Sequence, residues 1–318
     1  MLITSAGRRC ELLECFRKDA QSLAYPLRVF ACDLNPAMSP ACHFADSVVQ
    51  LPRCTDKDYP KQLLQYCLTN GVTLVVPTID TELEILAENK QSFQAAGVDV
   101  IVSDIEAIKV CRDKYQTAIH LDDNGVPIPR TWKLATWHSA LAPKDIALIL
   151  KPIDGSNSVG IQRINIGQKV PQKRDSAQWI LQEYLEGTEF TVNCFVDKSG
   201  SLRTSIPHIR KEVRGGEVSK GTTVDDTELQ AISGKIVATL PGLRGPFCFQ
   251  AKRTTAGRIG VFEINARFGG GFPLAHHAGG AFTKWILEEH LGLPSSQTSV
   301  WSPGLTCLRF DQAIYVTT

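Results

Sequence analysis

The sequence predicts an α/β protein that begins with a parallel sheet. The first observation is that short apolar runs alternate with amphipathic, helix-like runs over the first hundred residues. The second is a β-hairpin pattern within residues 246–272, around the turn Thr255-Ala256-Gly257. The third is the length of 318 residues, which is enough for two or three subdomains that share a sizeable core. A parallel-sheet domain followed by an α+β part is therefore expected.

Five strands and three helices are expected in the first hundred residues. The strands are Leu2–Ser5, Leu27–Cys32, Ser47–Leu51, Leu74–Pro77 and Val98–Val102, and the helices are Cys10–Ser22, Tyr59–Asn70 and Glu82–Ala96. The carboxyl ends of such strands form a crevice, which here carries Ser5, Arg8, Asp33, Asn35, Thr78, Asp80 and Glu82. The first turn lacks the G-x-G-x-x-G pattern, so a dinucleotide site is not favoured.

Composition and charge exclude several classes of protein. A hydrophobic content of 43% and a charged content of 21% are typical of globular proteins. A net charge of +1 is too small to attract nucleic acid or an anionic membrane electrostatically. No apolar run approaches the roughly 20 residues that span a bilayer, and the first residues do not resemble a signal peptide. Ten cysteines without a C-x-x-C pair indicate free thiols and a cytoplasmic protein.

The middle of the chain carries a pattern suited to phosphate. A helix is expected at Asp104–Asp123 and a buried strand at Ile146–Leu150, which leads into Lys151 and the small-residue loop Gly155–Gly160. Backbone N–H groups of such a loop can bind phosphate oxygens while the ammonium supplies charge. No G-K-[ST] follows at Walker A spacing, and a generic Gly/Ser turn is the alternative. Strands are expected from Trp179 and at Phe190–Val196.

Four basic side chains lie within seven residues further along the chain. They are His208, Arg210, Lys211 and Arg214. They suit either a solvated strand edge or the neutralisation of a triphosphate, for which Arg210 is preferred. Helices are expected at Asp225–Leu240 and Phe282–Leu291, and a closing strand at Leu305–Val316. The adjacent His276 and His277 do not face one ligand point, so packing or acceptor contacts are expected of them.

The hairpin carries three oxygen-bearing side chains that can converge on one point. Gln250 lies on its first strand, and Glu263 and Asn265 lie on its second. Mixed carboxylate and amide oxygens suit a hard divalent cation, Mg²⁺ rather than Zn²⁺. Arg267, two residues further on, could bind a phosphoryl group or an oxyanion. Ordinary polar residues on a solvated strand face are the alternative interpretation.

With the run Gly269-Gly270-Gly271, the hairpin resembles the metal-binding hairpin of the ATP-grasp superfamily. It is most similar to the branch of the carbamoyl-phosphate synthase large subunit, which has Gln, Glu and Asn at these positions. The phosphate lysine, the Gly/Ser loop, the hinge at 179–189 and the hairpin also follow one another in the family's order. The turn at 77–82 resembles the domain that precedes ATP-grasp. One departure is Cys248, where relatives usually carry a polar residue that faces the phosphates.

The resemblance implies a domain division and a set of site residues. The implied domains are 1–111 (pre-ATP-grasp), 112–187 (small subdomain with the lid) and 188–318 (large subdomain with the metal hairpin). It implies binding of ATP with Mg²⁺ or Mn²⁺ and metal ligands at Gln250, Glu263 and Asn265. The implied nucleotide contacts are Lys114, Lys151, Ser156, Ser158, Gly160, Glu183, Tyr184, Leu185 and Glu189. The implied catalytic residues are Arg267, Arg210 and Lys151.

The expected activity is that of an ATP-dependent ligase. It would activate a carboxylate as an acyl phosphate, join it to an amine and release ADP and phosphate. A carbamate- or carboxy-phosphate-forming kinase and a non-catalytic nucleotide-binding protein are the alternatives. The expected partners are a small carboxylate and a small amine, with no nucleic acid and no membrane, and a homodimer is left open.

The acceptor site is expected at the crevice of the N-terminal sheet. Glu82 would hold the ammonium of an amino-acid-like substrate, and Arg8 or Arg9 would bind its carboxylate, since a fork of donors suits that group. The alternative role for Asp80 and Glu82 is to cap the helix that begins there.

Overall fold

The predicted parallel sheet is present at the start of the chain. The structure is a computed structural model that describes residues 1–137, 145–155 and 159–316. The sheet has the order β3-β2-β1-β4-β5 with all pairs parallel. Its strands are β1 (Leu2–Ile3), β2 (Phe30–Asp33), β3 (Ser47–Gln50), β4 (Leu74–Val76) and β5 (Asp99–Val100). Its helices are α1 (Cys10–Ser22), α2 (Pro40–Phe44), α3 (Tyr59–Asn70) and α4 (Asp80–Ala95).

The single helix expected at Asp104–Asp123 is wrong, because the chain forms two helices there. They are α5 (Ile105–Arg112) and α6 (Lys114–Asp123). Asp113 between them has an extended backbone, and its carboxylate accepts hydrogen bonds from the backbone N–H groups of Tyr115 and Gln116. Such an N-cap satisfies donors that a new helix leaves free, so it starts a second helix at Lys114.

A small antiparallel sheet follows, which we call the small sheet. Its order is β6-β9-β7-β8, with β6 (Thr131–Lys133), β7 (Leu148–Pro152), β8 (Gln162–Ile164) and β9 (Trp179–Glu183). The strand expected at Ile146–Leu150 is thus displaced by two residues and includes Lys151. The buried core of this sheet consists of Leu148, Leu150, Ile164 and Leu181.

The rest of the chain builds a six-stranded sheet, which we call the large sheet. Its order is β14-β13-β10-β11-β12-β15 and every pair is antiparallel. The strands are β10 (Gly187–Val196), β11 (Leu202–Arg214), β12 (Glu217–Thr223), β13 (Gly245–Thr254), β14 (Ile259–Asn265) and β15 (Thr306–Leu308). The helices are α7 (Thr227–Thr239), α8 (Phe272–His277) and α9 (Phe282–Leu291).

The predicted hairpin is confirmed as β13 and β14, but the closing strand is much shorter than expected. Residues 305–316 were expected to form one strand, and only Thr306–Leu308 pairs with β12. The apolar side chains that follow have no buried face to join, since Phe310 and Tyr315 are exposed. The alternation of apolar residues predicted a long strand, but within the described part of the chain the residues after Leu308 have no neighbouring strand to pair with.

Shared cores join the N-terminal sheet to the large sheet. Phe16 of α1 packs edge-on against Phe268, which follows β14, with ring centroids 6.1 Å apart. Each such fully buried side chain stabilises the fold by about 1.5–3 kcal/mol. The end of the β13–β14 hairpin is therefore held between two large elements. Among the described residues, no helix has the length and apolarity to span a bilayer. The domain division at 111 and 187 stays a prediction.

Candidate active site

A cleft of about 300 Å³ lies between the small sheet and the large sheet. Residues from every part of the chain line it: Arg9 from the N-terminal domain, Lys151 from β7, Arg210 from β11 and Glu263 from β14. The small sheet supplies one wall, and the hairpin of β13 and β14 supplies the other. Most residues predicted for the site lie in this cleft.

The hairpin brings the three predicted metal ligands together. Gln250 stands opposite Glu263, and Cys248 opposite Asn265, so all three ligand positions lie on neighbouring strands. All three ligands line the cleft, and Asn265 is 7% exposed. The register shifts directly after Gln250, a bulge of the kind that re-aims side chains near active sites. This set of carboxylate and amide oxygens fits a hard divalent cation.

Arg267 is fixed at the end of β14 by three acceptors. Its Nη2 donates to Asp80 Oδ2 at 2.5 Å and to Asn265 Oδ1 at 3.2 Å, and its Nη1 donates to the Phe268 carbonyl at 2.9 Å. Burial by itself would lower the pKa of Arg267, but the charge of Asp80 more than offsets this and holds the pKa above its usual value. The guanidinium is thus charged and held in one orientation.

Two buried lysines lie beside the hairpin of β13 and β14. Lys114 donates to the Gly155 carbonyl, and its ammonium is 3.8 Å from Glu263 Oε1. Lys151 donates to Gln182 Oε1 at 2.8 Å and to the Phe262 carbonyl at 3.5 Å. Burial lowers the pKa of Lys151 to about 7, because a desolvated ammonium is costly without a close carboxylate. Because both lysines also line the cleft, both can bind an anion that enters it.

The hinge residues lie where the small sheet passes into the large sheet. Glu183, Tyr184, Leu185 and Glu189 all line the cleft. The Glu183 side chain is held by Arg258, and Glu189 pairs with Arg210 at 2.9 Å. These ion pairs fix the hinge strand.

The Tyr184 ring contacts two cations, Arg163 of the small sheet at 4.1 Å and Lys252 of the large sheet at 4.7 Å from the ring centroid. The two sheets are thus linked through the hinge by an aromatic contact as well.

Arg210 is the one of the four clustered basic residues that lines the cleft. Its guanidinium bonds Thr191 Oγ1 at 3.1 Å and the Gly216 carbonyl at 3.0 Å. Lys211 and Arg214 are exposed. His208 is fully buried, and burial with the nearby charge of Arg210 lowers the pKa of His208 to about 3. The basic cluster is thus one cleft residue, one neutral core residue and two surface residues.

The loop that follows Lys151 is described only in part. Gly155, Val159 and Ile161 line the cleft, and Gly160 has a positive φ of 77° that favours glycine. The predicted contacts Ser156 and Ser158 lie outside the described residues.

The predicted acceptor residues need correction. Glu82 is fully buried, and its carboxylate accepts hydrogen bonds from Ser5 Oγ, Tyr59 OH and the backbone N–H groups of Thr78 and Ile79. All of its acceptor positions therefore serve the fold, as the capping alternative expected. Arg8 is exposed, whereas Arg9 lines the cleft.

Asp80 is not placed to hold a substrate amine, since its carboxylate binds Arg267. It contributes to the site through that guanidinium, as a partner from the N-terminal domain.

Sequence reasoning missed a charged group at the far end of the cleft. Glu217 pairs with Arg9 at 2.9 Å and with Arg309 at 3.2 Å. Burial would raise the pKa of Glu217, but the two guanidinium groups more than offset this and lower it. Arg309 also donates to the Gly270 carbonyl. These residues are far apart in the chain, so no local pattern could have identified them.

The triple-glycine turn is explained by how closely it is packed. A Cβ on Gly269 would lie 2.9 Å from Cys248 Sγ, one on Gly270 2.5 Å from Glu217 Cδ, and one on Gly271 2.9 Å from the His208 ring. Burial raises the pKa of Cys248 to about 11, so this side chain is a protonated thiol that packs under the turn.

Comparison with known families gives two matches. Residues 1–101 match the family described as PylC-like, N-terminal domain, and residues 111–271, just over half of the chain, match the ATP-grasp domain. No curated protein matches the sequence.

Solved structures show the same fold at low sequence identity. The N5-carboxyaminoimidazole synthetase of Staphylococcus aureus complexed with ADP has a TM-score of 0.71 and 16% identity, over 93% of this chain and 78% of that chain. The biotin carboxylase domain of the Hydrogenobacter thermophilus 2-oxoglutarate carboxylase has a TM-score of 0.70 and 15% identity, over 94% and 71%. The L-amino acid ligase of Bacillus licheniformis has a TM-score of 0.66 and 18% identity, over 93% and 74%.

Proposed function

Because the chain belongs to the ATP-grasp family, we propose that it is an ATP-dependent carboxylate–amine ligase. The observation that carries this proposal is the arrangement of the hairpin ligands Gln250, Glu263 and Asn265 beside Arg267, with Lys114 and Lys151 facing them across one cleft. Oxygen ligands, phosphate-binding cations and an anchored guanidinium are the parts that phosphoryl transfer followed by acyl transfer requires.

The first step is phosphoryl transfer to the carboxylate substrate. Lys114 and Lys151 would bind the triphosphate, and Arg210 of β11 would add a third positive charge. A substrate carboxylate oxygen attacks the γ-phosphorus, the bond to ADP breaks, and an acyl phosphate forms. A divalent cation held by Gln250, Glu263 and Asn265 would offset the charge of the phosphate oxygens.

The second step is acyl transfer to the amine. The amine attacks the acyl carbon, a C–N bond forms, phosphate leaves, and the amine loses a proton to solvent. Arg267 would donate to the oxyanion of the tetrahedral intermediate, and its fixed contact with Asp80 lowers the cost of orienting it. Positioning of the reactants and electrostatic stabilisation would supply most of the rate acceleration.

The names of two similar structures favour this reaction. One is a synthetase complexed with ADP, and another is an L-amino acid ligase. A second candidate is a carboxy-phosphate-forming enzyme, since the biotin carboxylase domain above is in complex with MgADP and bicarbonate. In that case bicarbonate would take the place of the organic carboxylate.

Product analysis tests the proposal. The protein is incubated with ATP, MgCl₂, hydroxylamine and pooled small carboxylates, and we expect ADP, phosphate and a hydroxamate. AMP and pyrophosphate would show adenylation and contradict the mechanism. ADP release that depends on bicarbonate alone would establish the second candidate. A nucleotide-binding protein without turnover would yield no product above the rate without enzyme.

A further inference from the structure

The far end of the cleft holds a charged cluster that the proposed chemistry does not use. We call Arg9, Glu217 and Arg309 the distal cluster. Its members come from the start of α1, the start of β12 and the residue after β15. Three distant parts of the chain thus meet at one end of the cleft, beside the glycine turn.

The distal cluster lies next to the catalytic end of the metal hairpin. Arg9, Glu217 and Arg267 line the same cleft, and Arg309 donates to the carbonyl of Gly270, three residues after Arg267. Glu263, Arg267 and the glycine turn follow one another along the chain and all line this cleft. A group bound by the distal cluster would therefore lie beside Arg267, the residue proposed for acyl transfer.

The charges of the distal cluster are complementary to a zwitterion. Two guanidinium groups meet one carboxylate, which leaves one positive charge without a partner inside the cluster. Glu217 uses one oxygen for Arg9 and the other for Arg309, so each oxygen keeps a lone pair for an ammonium. A guanidinium has five N–H donors, so Arg9 can bind Glu217 and a second carboxylate together.

The carboxylate of Glu217 lines the cleft beside the glycine turn. Glu217 is packed so closely on Gly270 that any Cβ there would displace it, and its side chain remains 25% exposed. The lowered pKa of Glu217 keeps its negative charge at neutral pH.

We propose that the distal cluster binds the head group of the amine substrate, and that this substrate is an α-amino acid or a similar small zwitterion. Glu217 accepts from the ammonium and Arg9 donates to the carboxylate, while Arg309 holds Glu217 against the turn. This inference rests on the proposed ligase function for the identity of the site as an acceptor site, but its binding test does not require turnover.

Calorimetry with the full chain tests the proposal. The protein is saturated with a non-hydrolysable ATP analogue and MgCl₂, and each protein α-amino acid is titrated beside its α-amide, which lacks the carboxylate. We expect at least one amino acid to bind, with its amide at least tenfold weaker. Glu217→Gln should weaken binding of that amino acid about tenfold or more and leave the affinity for the analogue unchanged. Glu212→Gln, on an exposed pair with Lys220, should change neither.

Several results would overturn the proposal. Equal binding of amide and amino acid would remove the carboxylate contact, and unchanged binding in Glu217→Gln would remove the ammonium contact. If Glu217→Gln fails to bind the analogue, Arg9→Lys replaces it, since it keeps the charge and loses the fork. Absence of binding by all the amino acids would refute the distal cluster as a zwitterion site. Normal amino acid binding without ADP release would refute the ligase function and leave the site intact.

Discussion

The lysines at one end of the cleft and the arginines at the other end have different kinds of partner. At the phosphate end, Lys114 and Lys151 are held mainly by neutral oxygens, the Gly155 carbonyl and Gln182 Oε1. At the far end, each guanidinium has a close carboxylate, as in Arg267 with Asp80 and Arg9 with Glu217. The buried ammonium of Lys151 is costly and its pKa falls to about 7, whereas the pKa of Arg267 is raised.

This difference in partners indicates a different role for each end of the cleft. Lys114 is only loosely paired with Glu263, at 3.8 Å, and Lys151 donates to neutral oxygens. Both would therefore gain most when a triphosphate arrives, and we expect them to favour nucleotide binding. Cations already paired gain less from a new anion, but their orientation is fixed before the reaction. We therefore expect the phosphate end to supply affinity for charge and the far end to supply fixed geometry.

The largest expected effect comes from breaking the phosphate end. Glu263→Gln removes the one carboxylate among the hairpin ligands, so we expect ATP turnover to fall about a hundredfold or more. Folding should be retained, because the Glu263 side chain is partly exposed. Initial rates of ADP release measure this. Glu228→Gln, in an exposed pair with Arg253 of the same hairpin, is the control with unchanged rates. Normal turnover at low Mg²⁺ in Glu263→Gln would refute the metal assignment.

A smaller effect is expected from loosening the far end. Asp80→Asn keeps the shape but removes the charge that holds Arg267, so we expect kcat to fall about tenfold. The KM for ATP should stay within about twofold, because the lysines are untouched. Steady-state kinetics separate the two parameters, with Asp104→Asn, whose pair with Lys90 is on the surface, as control. A loss confined to the KM for ATP would contradict the division between the two ends.

The smallest effect concerns pH and stability below the glycine turn. His208 is buried under Gly271, and its pKa falls from 6.5 to about 3. Asn193 donates to His208 Nδ1, and within the described residues Nε2 has no partner. Below pH 6.5, His208 is protonated in the unfolded chain but stays neutral in the folded chain. His208 therefore lowers the free energy of unfolding progressively as the pH falls from 6.5 towards 3.

Urea unfolding at several pH values measures this. His208→Gln should flatten the decline of the unfolding free energy below pH 6.5, relative to the wild type, and His43→Gln at the exposed surface should not. An unchanged slope in His208→Gln would show that His208 is not the group responsible.

Local patterns predicted the phosphate end better than the far end. Gln250, Glu263 and Asn265 lie within one hairpin, so alternation and spacing were enough to place them together. Three helices, Cys10–Ser22, Tyr59–Asn70 and Phe282–Leu291, match their expected bounds because amphipathic periodicity is also local.

The far end depends on tertiary contacts that no short pattern contains. Arg9, Glu217 and Arg309 meet only because the N-terminal domain packs on the large sheet, in which β15 pairs with β12. Glu82 was expected in the acceptor site, and its burial depends on Ser5 and Tyr59, which are distant in sequence. The helix break at Asp113 was missed because its cap stands within a run that is helical by composition.

The most direct test of the acyl phosphate is the fate of the carboxylate oxygen. The carboxylate that supports the fastest ADP release is labelled with ¹⁸O at both oxygens and incubated with ATP, MgCl₂ and an amine. If the carboxylate attacks the γ-phosphorus and the amine then displaces phosphate, mass spectrometry will find one ¹⁸O in each inorganic phosphate. Label in AMP, or ADP released together with unlabelled phosphate, would contradict the proposed ligase mechanism.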